Sequence, residues 1–264
     1  AIKYISRGLP QETDGFASIT VGNYNQLDAK AAIGGEIGGK DSGLRARVAV
    51  ASMNRDGFGE NLTNQQEVSD KEINAMRFQL GAYSQDDLDV QFAIDWMDDK
   101  SGVRGAKMLA ANPLAPAYPP LDSPFDIRSG MPNVNNTVMK GASMAVNWRP
   151  NDDWAFKYVI AKRESDTETN IDFDTTPLKL VDVRAFYSDQ QVSNELQANY
   201  DAGGAARGVM GLYFFNGDAG GQVLNWFSNP LAAPSLTNPL FGDTQGYVNT
   251  KSMALYADWT FDLG

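Results

Sequence analysis

An alternation of apolar and polar residues, LDVQFAIDWMDD at 88–99, is the feature that most narrows the possible folds of this chain. A period of two places successive side chains on opposite faces of a β-strand. The residues on the apolar face are Leu88, Val90, Phe92, Ile94 and Trp96. A sandwich core and a lipid bilayer both produce this pattern, so the alternation predicts a strand and leaves open what its apolar face contacts.

The rest of the chain repeats the same kind of segment, and no helical pattern with caps lies between the repeats. Many segments are longer than the most common strand length in globular proteins, which is about five or six residues. They approach the roughly 9–11 residues that a tilted strand needs to cross a bilayer. The sequence therefore predicts an all-β fold, an antiparallel meander of about ten long strands. The predicted strands are 16–24, 26–37, 43–54, 72–85, 88–98, 137–149, 153–164, 191–201, 207–216 and 250–262.

The connections between the predicted strands alternate between short and long. The short ones are rich in Gly, Asp and Asn, as tight hairpins require. They lie at 38–43, 86–87, 150–153 and 202–206, and the long ones lie at about 55–71, 99–136, 165–190 and 217–249. Tight turns at one end and long loops at the other are typical of outer-membrane barrels, so we expect the four tight turns at one end. The connection at 23–25 is the exception, because it is short where a long one is due.

Aromatic residues cluster near the predicted short turns and near the chain end. By strand order they lie at one level, as an interfacial girdle does, although aromatic residues that close a sandwich core are the alternative. They are Trp148, Trp154, Tyr200, Trp259 and Phe261. The girdle favours lipid as the contact of the apolar face of 88–96, and we expect Phe92 and Ile94 to face outward.

The opposite face is predicted to line a wet lumen. Charged side chains that faced lipid would cost roughly 2–4 kcal/mol each near the bilayer midplane, so they are expected inward. The inward set predicted from the alternation is Arg45, Arg47, Arg77, Asp89, Asp95, Lys157, Arg163, Glu195 and Asp258.

Charge and composition exclude several classes of function. The net charge of −11, from 33 acidic and 22 basic residues, argues against a nucleic-acid partner. The chain has no cysteine and no histidine, which excludes disulfides, catalytic triads and the usual zinc sites. We therefore expect no enzyme, no catalytic residue and no cofactor, although carboxylate-only glycoside hydrolysis is compatible with this composition. The chain opens with Ala1 and no signal peptide, which we interpret as a processed or truncated start.

Four parts of the chain share a pattern with known proteins. They are AIKYISRGLP at 1–10 with GFASITVGNYNQLDAKAAIGGEI at 15–37, NRDGFGENLTNQQEVSDKEINAMRFQL at 54–80, SDQQVSNELQANYD at 188–201, and GVMGLYFFN at 208–216. In this order they resemble TonB-dependent outer-membrane receptors. The first resembles the join between plug and barrel, with GNY as the first hairpin turn. The second resembles an extracellular loop with its following strand, and the last two resemble a recurrent strand pair.

The resemblance implies the N-terminal half of a barrel of about 22 strands, in the outer membrane of a Gram-negative bacterium. It makes 1–12 the end of the plug and the plug–barrel junction, and 13–264 a partial transmembrane β-barrel whose plug and remaining strands are missing. Its implied partners are outer-membrane lipid, the plug and remaining barrel strands, the TonB complex reached through the plug, and a small iron chelate.

The function that the resemblance implies is active import of a scarce ligand, such as a ferric siderophore or a similar iron complex. Two alternatives remain at this point: a passive channel built as a self-contained ten-strand barrel, and a soluble β-sandwich binding module. The receptor hypothesis predicts that the first strand, 16–24, and the last strand, 250–262, do not pair with each other.

Candidate ligand contacts come from the loops and the lumen. The tract NPLAPAYPPLDSPFD at 112–126 favours extended, pre-ordered backbone and contains Tyr118 and Phe125. The last predicted loop contains Trp226 and Phe227. The alternative is that these aromatic residues pack the loops onto each other.

Two lumen residues, Arg77 and Arg163, complete the candidate ligand set, with solvated lumen lining as the alternative. The tract DFDTT at 172–176 suggests calcium, but the twelve-residue spacing of an EF-hand is absent. We therefore assign no metal ligand from the sequence.

Overall fold

The computed structural model describes residues 6–39, 41–84 and 87–262. No helix in those residues is long and apolar enough to cross a membrane. The strands are β1 (Asp14–Gly22), β2 (Gln26–Ile37), β3 (Leu44–Arg55), β4 (Gly59–Asn61), β5 (Gln66–Val68), β6 (Lys71–Tyr83), β7 (Leu88–Asp99), β8 (Asn135–Trp148), β9 (Trp154–Asp172), β10 (Val181–Asp201), β11 (Ala206–Phe227) and β12 (Leu240–Phe261).

Ten of these strands form one antiparallel sheet in chain order, β1-β2-β3-β6-β7-β8-β9-β10-β11-β12, and β4 pairs with β5 in a small separate hairpin. The predicted all-β meander is therefore confirmed. Within the described residues β1 and β12 are the two edges of the sheet and do not pair with each other. A sandwich needs a second packed sheet and a closed barrel has no edge strand, so neither alternative fits this sheet.

The hairpin connections separate into two ends of the sheet. The connections β2–β3, β6–β7, β8–β9 and β10–β11 all lie at one end, here named the turn end, because strand direction alternates in an antiparallel meander. The opposite end, here named the loop end, carries the long connections and the short turn at 23–25. The predicted common end of the tight turns is confirmed, although residue 40 of the first turn and residues 85–86 of the second lie outside the described residues.

The last four strands are longer than predicted. β9, β10, β11 and β12 contain 19, 21, 22 and 22 residues. The prediction of loops over 165–190 and 217–249 was therefore wrong, since only 173–180 and 228–239 connect these strands. Beyond a membrane both faces of a strand meet water, so the alternation disappears while the backbone ladder continues.

The register separates an apolar face from a polar face. Phe92 and Ile94 lie on the apolar face, where their side chains are 42% and 36% exposed. All nine residues of the predicted inward set lie on the polar face, because each one pairs across the sheet with residues of that face. The predicted orientation of both sets is confirmed. An exposed apolar face of this extent needs a lipid or protein contact.

The apolar face ends at a defined level on β9–β12. The last apolar row holds Ile160, Asn194, Phe214 and Met253, and the next row toward the loop end holds Lys162, Val192, Asn216 and Lys251. In β10 the apolar side chains continue one row further, to Val192, so the apolar stretch runs over 192–200, close to the roughly 9–11 residues of a tilted membrane strand. The longer strands therefore project beyond the apolar region at the loop end.

The five aromatic residues of the predicted girdle lie at the turn end of the apolar face. Trp154 contacts Tyr200 with ring centroids 4.9 Å apart, and Tyr200 contacts Trp259 at 6.0 Å. Trp148 and Phe261 extend this row at its two ends through stacked contacts with Phe156 and Trp259. The predicted common level is confirmed, and the row matches the aromatic girdle that anchors a barrel at a membrane interface.

The segment before β1 turns over the polar face of the sheet. Leu9 is 6% exposed and lies directly over Gly81 of β6, where a Cβ atom would stand 2.6 Å from Leu9 Cδ1. Arg7 forms an ion pair with Asp14 at 3.1 Å, which fixes the start of this segment. Residues 6–10 therefore lie inside the space that the polar face borders.

Candidate functional site

A cavity of about 810 Å³ opens at the loop end of the sheet. Its wall comes from the connection between β3 and β6, from the long connection between β7 and β8, and from the last residues of β9. The cavity therefore depends on loops far apart in the sequence. Its volume is in the range of small-molecule sites.

Hydrogen bonds between the two loops hold the cavity wall together. Asn61 is buried, donates from Nδ2 to the Ser129 carbonyl at 3.0 Å and accepts from the Ser129 N–H at 3.0 Å. Asn133 donates from its own N–H to Gln66 Oε1 of the other loop at 3.0 Å, and it accepts from the Val103 N–H of its own loop at 2.6 Å. Because the Asn61 side-chain amide and the Ser129 backbone are both buried and satisfy each other, they hold the cavity wall in one defined arrangement.

Four basic side chains line the cavity, and three of them already have partners. Arg55 donates to the Ser69 carbonyl and stacks on the Phe58 ring, Lys71 pairs with an aspartate at 2.7 Å, and Arg128 donates to a proline carbonyl at 2.6 Å. Arg104 is exposed and forms no hydrogen bond or ion pair with the part of the chain that the structure describes. Its guanidinium group can therefore bind an anionic oxygen without breaking an existing contact.

A cluster of carboxylates lies beside this cavity. Asp172 ends β9 and lines the cavity, Asp182 stands directly opposite it in β10, and Asp174 lies in the connecting loop. One carboxylate oxygen from each lies within 4.8 Å of the other two. Burial, and secondarily the neighbouring Asp174 charge, raises the pKa of Asp172 to about 6. Burial, followed by the charges of Asp172 and Asp174, raises the pKa of Asp182 to about 7.

A second charged group crosses the polar face of the sheet nearer its middle. Asp95 of β7 accepts from Arg77 of β6 at 3.2 Å and from Arg163 of β9 at 2.9 Å. The two candidate arginines are therefore brought together on one carboxylate. Because Asp95 pairs with both arginines, the three side chains together carry one net positive charge on this part of the polar face.

Comparison with known proteins relates this geometry to a fold. No family model and no curated protein matches the sequence. Among solved structures, the chain is similar to the ferric yersiniabactin uptake receptor FyuA of Yersinia pestis, with a TM-score of 0.78 and 18% identity over 98% of this chain and 38% of that chain. It is also similar to the siderophore receptor PiuA of Acinetobacter baumannii (TM-score 0.63, 8% identity, 96% of this chain and 41% of that chain). The ferric citrate transporter FecA gives a TM-score of 0.61 at 10% identity, over 97% of this chain and 37% of that chain.

The chain has the fold of a segment of the β-barrel in these outer-membrane structures. It spans well under half the length of each of these chains, in agreement with a sheet that has two unpaired edges. In a barrel of this fold the apolar face with its aromatic girdle is the outer surface, and the polar face borders the lumen.

The structure brings Arg77 and Arg163 together at Asp95 but does not gather the candidate aromatic residues at the cavity. Tyr118 and Phe125 do not line the cavity, although Phe125 contacts the cavity residue Phe58 with ring centroids 6.3 Å apart. Trp226 and Phe227 are the last residues of β11 and belong to a strand, so their predicted position in a loop was wrong. Trp226 contacts Phe241 of β12, a residue that was also predicted to lie in the last loop.

Sequence reasoning missed the residues that the loop end brings together. Arg104 lies in a connection without periodic pattern, so no local signal marks it. Asp182 was assigned to a loop, and only its direct pairing with Asp172 relates it to the DFDTT tract. A search for carboxylates at positions that pair across a hairpin could have found it.

Proposed function

We propose that this chain is the N-terminal half of the barrel of a TonB-dependent outer-membrane receptor, and that the intact receptor imports a ferric siderophore or a similar iron complex. The observation that carries the proposal is the fold, because structures described as receptors or transporters of ferric yersiniabactin, ferric citrate and siderophores match 96–98% of the chain. The two free edges support it further, since further strands of the same barrel are their natural partners.

The proposed division of the chain places the end of the plug and its junction in residues 1–12 and the partial barrel in 13–264. The segment before β1 supports this division, because Leu9 already lies over the polar face at Gly81. Leu9 thus lies on the lumen side of the sheet in this function, where a plug would sit. Residues 1–5 lie outside the described residues. Contact with the TonB complex would run through the plug.

The proposed ligand site is the cavity at the loop end, which is the extracellular end in this function. Arg104 is the basic group on its wall that has no partner among the described residues. Iron chelates present carboxylate, phenolate or hydroxamate oxygens, and a guanidinium group binds such oxygens well. The pair Phe58 and Phe125 adds an aromatic surface beside the cavity.

Uptake of radioactive iron by cells that carry the intact receptor tests the proposal. Cells are supplied with ferric chelates of the catecholate, hydroxamate and carboxylate classes, with and without a working TonB. We expect TonB-dependent uptake of at least one class. Loss of one charge-assisted hydrogen bond is worth roughly 1.5–3 kcal/mol, so Arg104→Gln should weaken binding of that chelate about tenfold or more.

The matched control is Arg207→Gln. Arg207 is an exposed arginine at the turn end that pairs with Asp262 at 3.1 Å. The substitution removes the same charge far from the cavity and should leave uptake unchanged. Uptake that is equal with and without TonB, or no uptake of any chelate class by a correctly inserted receptor, would contradict the proposed function.

A further inference from the structure

We propose that Asp172, Asp174 and Asp182 form a binding site for a divalent cation of the calcium class at the loop end of the β9–β10 hairpin. The proposal goes beyond iron-complex transport and depends only on the hairpin and the loop that packs against it. None of these three residues is predicted as a metal ligand from the sequence alone.

The hairpin positions the three carboxylates without help from the ligand. Asp172 and Asp182 are a directly opposed cross-strand pair, so their side chains leave the sheet on the same face. Asp174 stands two residues beyond Asp172 in the connecting loop, and one oxygen of each carboxylate lies within 4.8 Å of the other two. Like charges directly opposed across a hairpin are destabilising, so this arrangement needs a compensating positive group.

Asp182 is the observation that points to a ligand. Its side chain is 0% exposed, and neither of its carboxylate oxygens has a hydrogen-bond partner among the described residues. A buried carboxylate without a partner is costly, and native structures normally satisfy such groups with a protein donor, a water or a metal. Both oxygens are therefore free to accept, and one of them lies within 4.8 Å of the other two carboxylates.

The other two carboxylates are held in place by the backbone. Asp174 accepts from the N–H groups of Thr176, Leu180 and Val181 at 2.9, 3.1 and 2.9 Å, so its oxygens are largely occupied and its orientation is fixed. Asp172 accepts one N–H on each oxygen, from Thr175 at 2.7 Å and from Gly130 at 3.0 Å. Each oxygen of Asp172 keeps a lone pair for a cation, and Asp174 adds negative charge at a fixed position.

The described residues place no basic side chain in ion-pair contact with the cluster. None of the ion pairs among the described residues includes Asp172, Asp174 or Asp182. Lys179, the nearest basic residue in the loop, places its Nζ 5.6 Å from the centroid of the Trp226 ring. Asn170, two residues before Asp172 on the same face, has a buried side-chain oxygen without a partner and offers a further oxygen in the same region.

The donor atoms select the class of cation. The chain has no cysteine or histidine, so the donors are oxygens, which calcium and magnesium prefer. Calcium binds oxygens at about 2.3–2.6 Å in irregular geometry, and two ligands on opposite sides of it are about 5 Å apart. The 4.8 Å limit on the carboxylate oxygens fits this span. Magnesium demands a near-ideal octahedron with shorter bonds, which a fixed hairpin and loop satisfy less well.

A bound cation would tie three elements of the cavity wall together. Gly130 of the β7–β8 connection donates both to Asp172 and to the Thr176 carbonyl at 3.0 Å, so that connection already rests on the cluster. Neutralising the carboxylates would remove their repulsion and stabilise this contact. The expected consequence is a loop end that is more resistant to unfolding and proteolysis when calcium is present.

Terbium luminescence tests the site in the purified intact receptor that carries this chain. Terbium(III) replaces calcium at oxygen sites and is sensitised by a nearby indole. Trp226 stands directly opposite Asp182 in the sheet, on the same face, so excitation of tryptophan should produce saturable terbium emission that calcium displaces. Trp226→Phe should remove the emission while calcium binding, measured by titration calorimetry, persists.

The deciding variant is Asp182→Asn, which keeps the size of the side chain and removes the unpaired charge. We expect calcium affinity to fall at least tenfold, and the rise of the unfolding temperature with calcium to disappear. Asp172→Asn serves as a second variant with the same expectation if the first does not insert. The matched control is Asp189→Asn, an exposed aspartate on the same strand that changes the net charge equally and should bind calcium as the parent does.

Two results would overturn the inference. One is the absence of saturable calcium or terbium binding to the inserted receptor, which would mean that protons alone neutralise the cluster. The other is binding that Asp182→Asn and Asp172→Asn leave unchanged. Both measurements are independent of iron uptake, so a receptor that transports no iron complex could still confirm this site.

Discussion

Arg163 of β9 and Asp95 of β7 form an ion pair, 2.9 Å between Nη2 and Oδ2, although strand β8 lies between them. The residue of β8 at that level is Gly141, which pairs with Asp95 on one side and with Arg163 on the other. A Cβ atom there would stand 2.8 Å from Arg163 Nη1 and 3.0 Å from both Asp95 carboxylate oxygens. The glycine therefore leaves the gap through which the pair closes.

The first prediction is that Gly141→Val uncouples Arg163 from Asp95. Both side chains are partly exposed, so we expect a coupling energy of about 0.2–1 kcal/mol in a double-mutant cycle on the parent receptor. The same cycle in the Gly141→Val background should give a value near zero. Urea unfolding of the receptor in detergent measures both cycles. Gly246→Val, at a site with no atom within 4 Å, is the control and should keep the coupling.

The second prediction concerns the two faces of β10. Leu196 lies on the apolar face and is exposed, whereas its neighbour Gln197 lies on the polar face. Leu196→Arg places a charge against lipid and should reduce the free energy of unfolding in vesicles by roughly 2–4 kcal/mol. Gln197→Arg adds the same side chain to the lumen and should change it little. Equal effects of the two substitutions would contradict the membrane orientation of the sheet.

The third prediction concerns the aromatic girdle. Trp154 contacts Phe156 with ring centroids 5.8 Å apart and Tyr200 at 4.9 Å. Each aromatic pair contributes about 0.5–1.5 kcal/mol beyond its buried area, so Trp154→Ala should reduce the free energy of unfolding in vesicles by about 1–3 kcal/mol. Trp154→Phe retains a ring and should lose less. If both variants unfold like the parent, the row has no anchoring role.

The fourth prediction concerns the segment before β1. Leu9→Ala removes the side chain that covers Gly81, so residues 6–13 should detach from the polar face more often. Hydrogen exchange followed by mass spectrometry should show faster exchange in this segment and at Glu36, whose N–H donates to the Gln11 carbonyl at 3.1 Å. Leu109→Ala, at a leucine that is 90% exposed, should leave this exchange unchanged.

The membrane-level part of the sheet follows closely from local sequence. Every residue that the alternation placed inward lies on the polar face, and the apolar residues of 88–96 lie on the other. An exception within the apolar stretch of β10 is Asn194, a polar residue on the apolar face. Its Oδ1 accepts from the Tyr158 hydroxyl at 2.9 Å, which supplies the partner that a polar group needs in an apolar environment.

The loop end follows much less from local sequence. Strands β9 to β12 continue past the apolar stretch, where polar and apolar residues no longer alternate between the two faces, so no period of two marks them. The aromatic residues Trp226 and Phe227 were therefore placed in a loop although they end β11. Of the predicted ligand residues, Arg77 and Arg163 meet at Asp95, whereas Tyr118 and Phe125 lie in the β7–β8 connection, and the proposed cavity is lined by other residues.

The sequence by itself determined the strand faces, the turn end and the level of the girdle, because these depend on a period of two and on turn residues within each hairpin. Only the tertiary structure decided which distant residues meet. Asn61 reaches Ser129 across 68 positions, and Arg163 reaches Asp95 across the same number. The register of the sheet and the packing of loops determine these contacts, and the local sequence predicts neither of them. The pairing of Asp172 with Asp182 belongs to the same class, because it required β9 and β10 to extend beyond the membrane before their carboxylates could stand opposite each other.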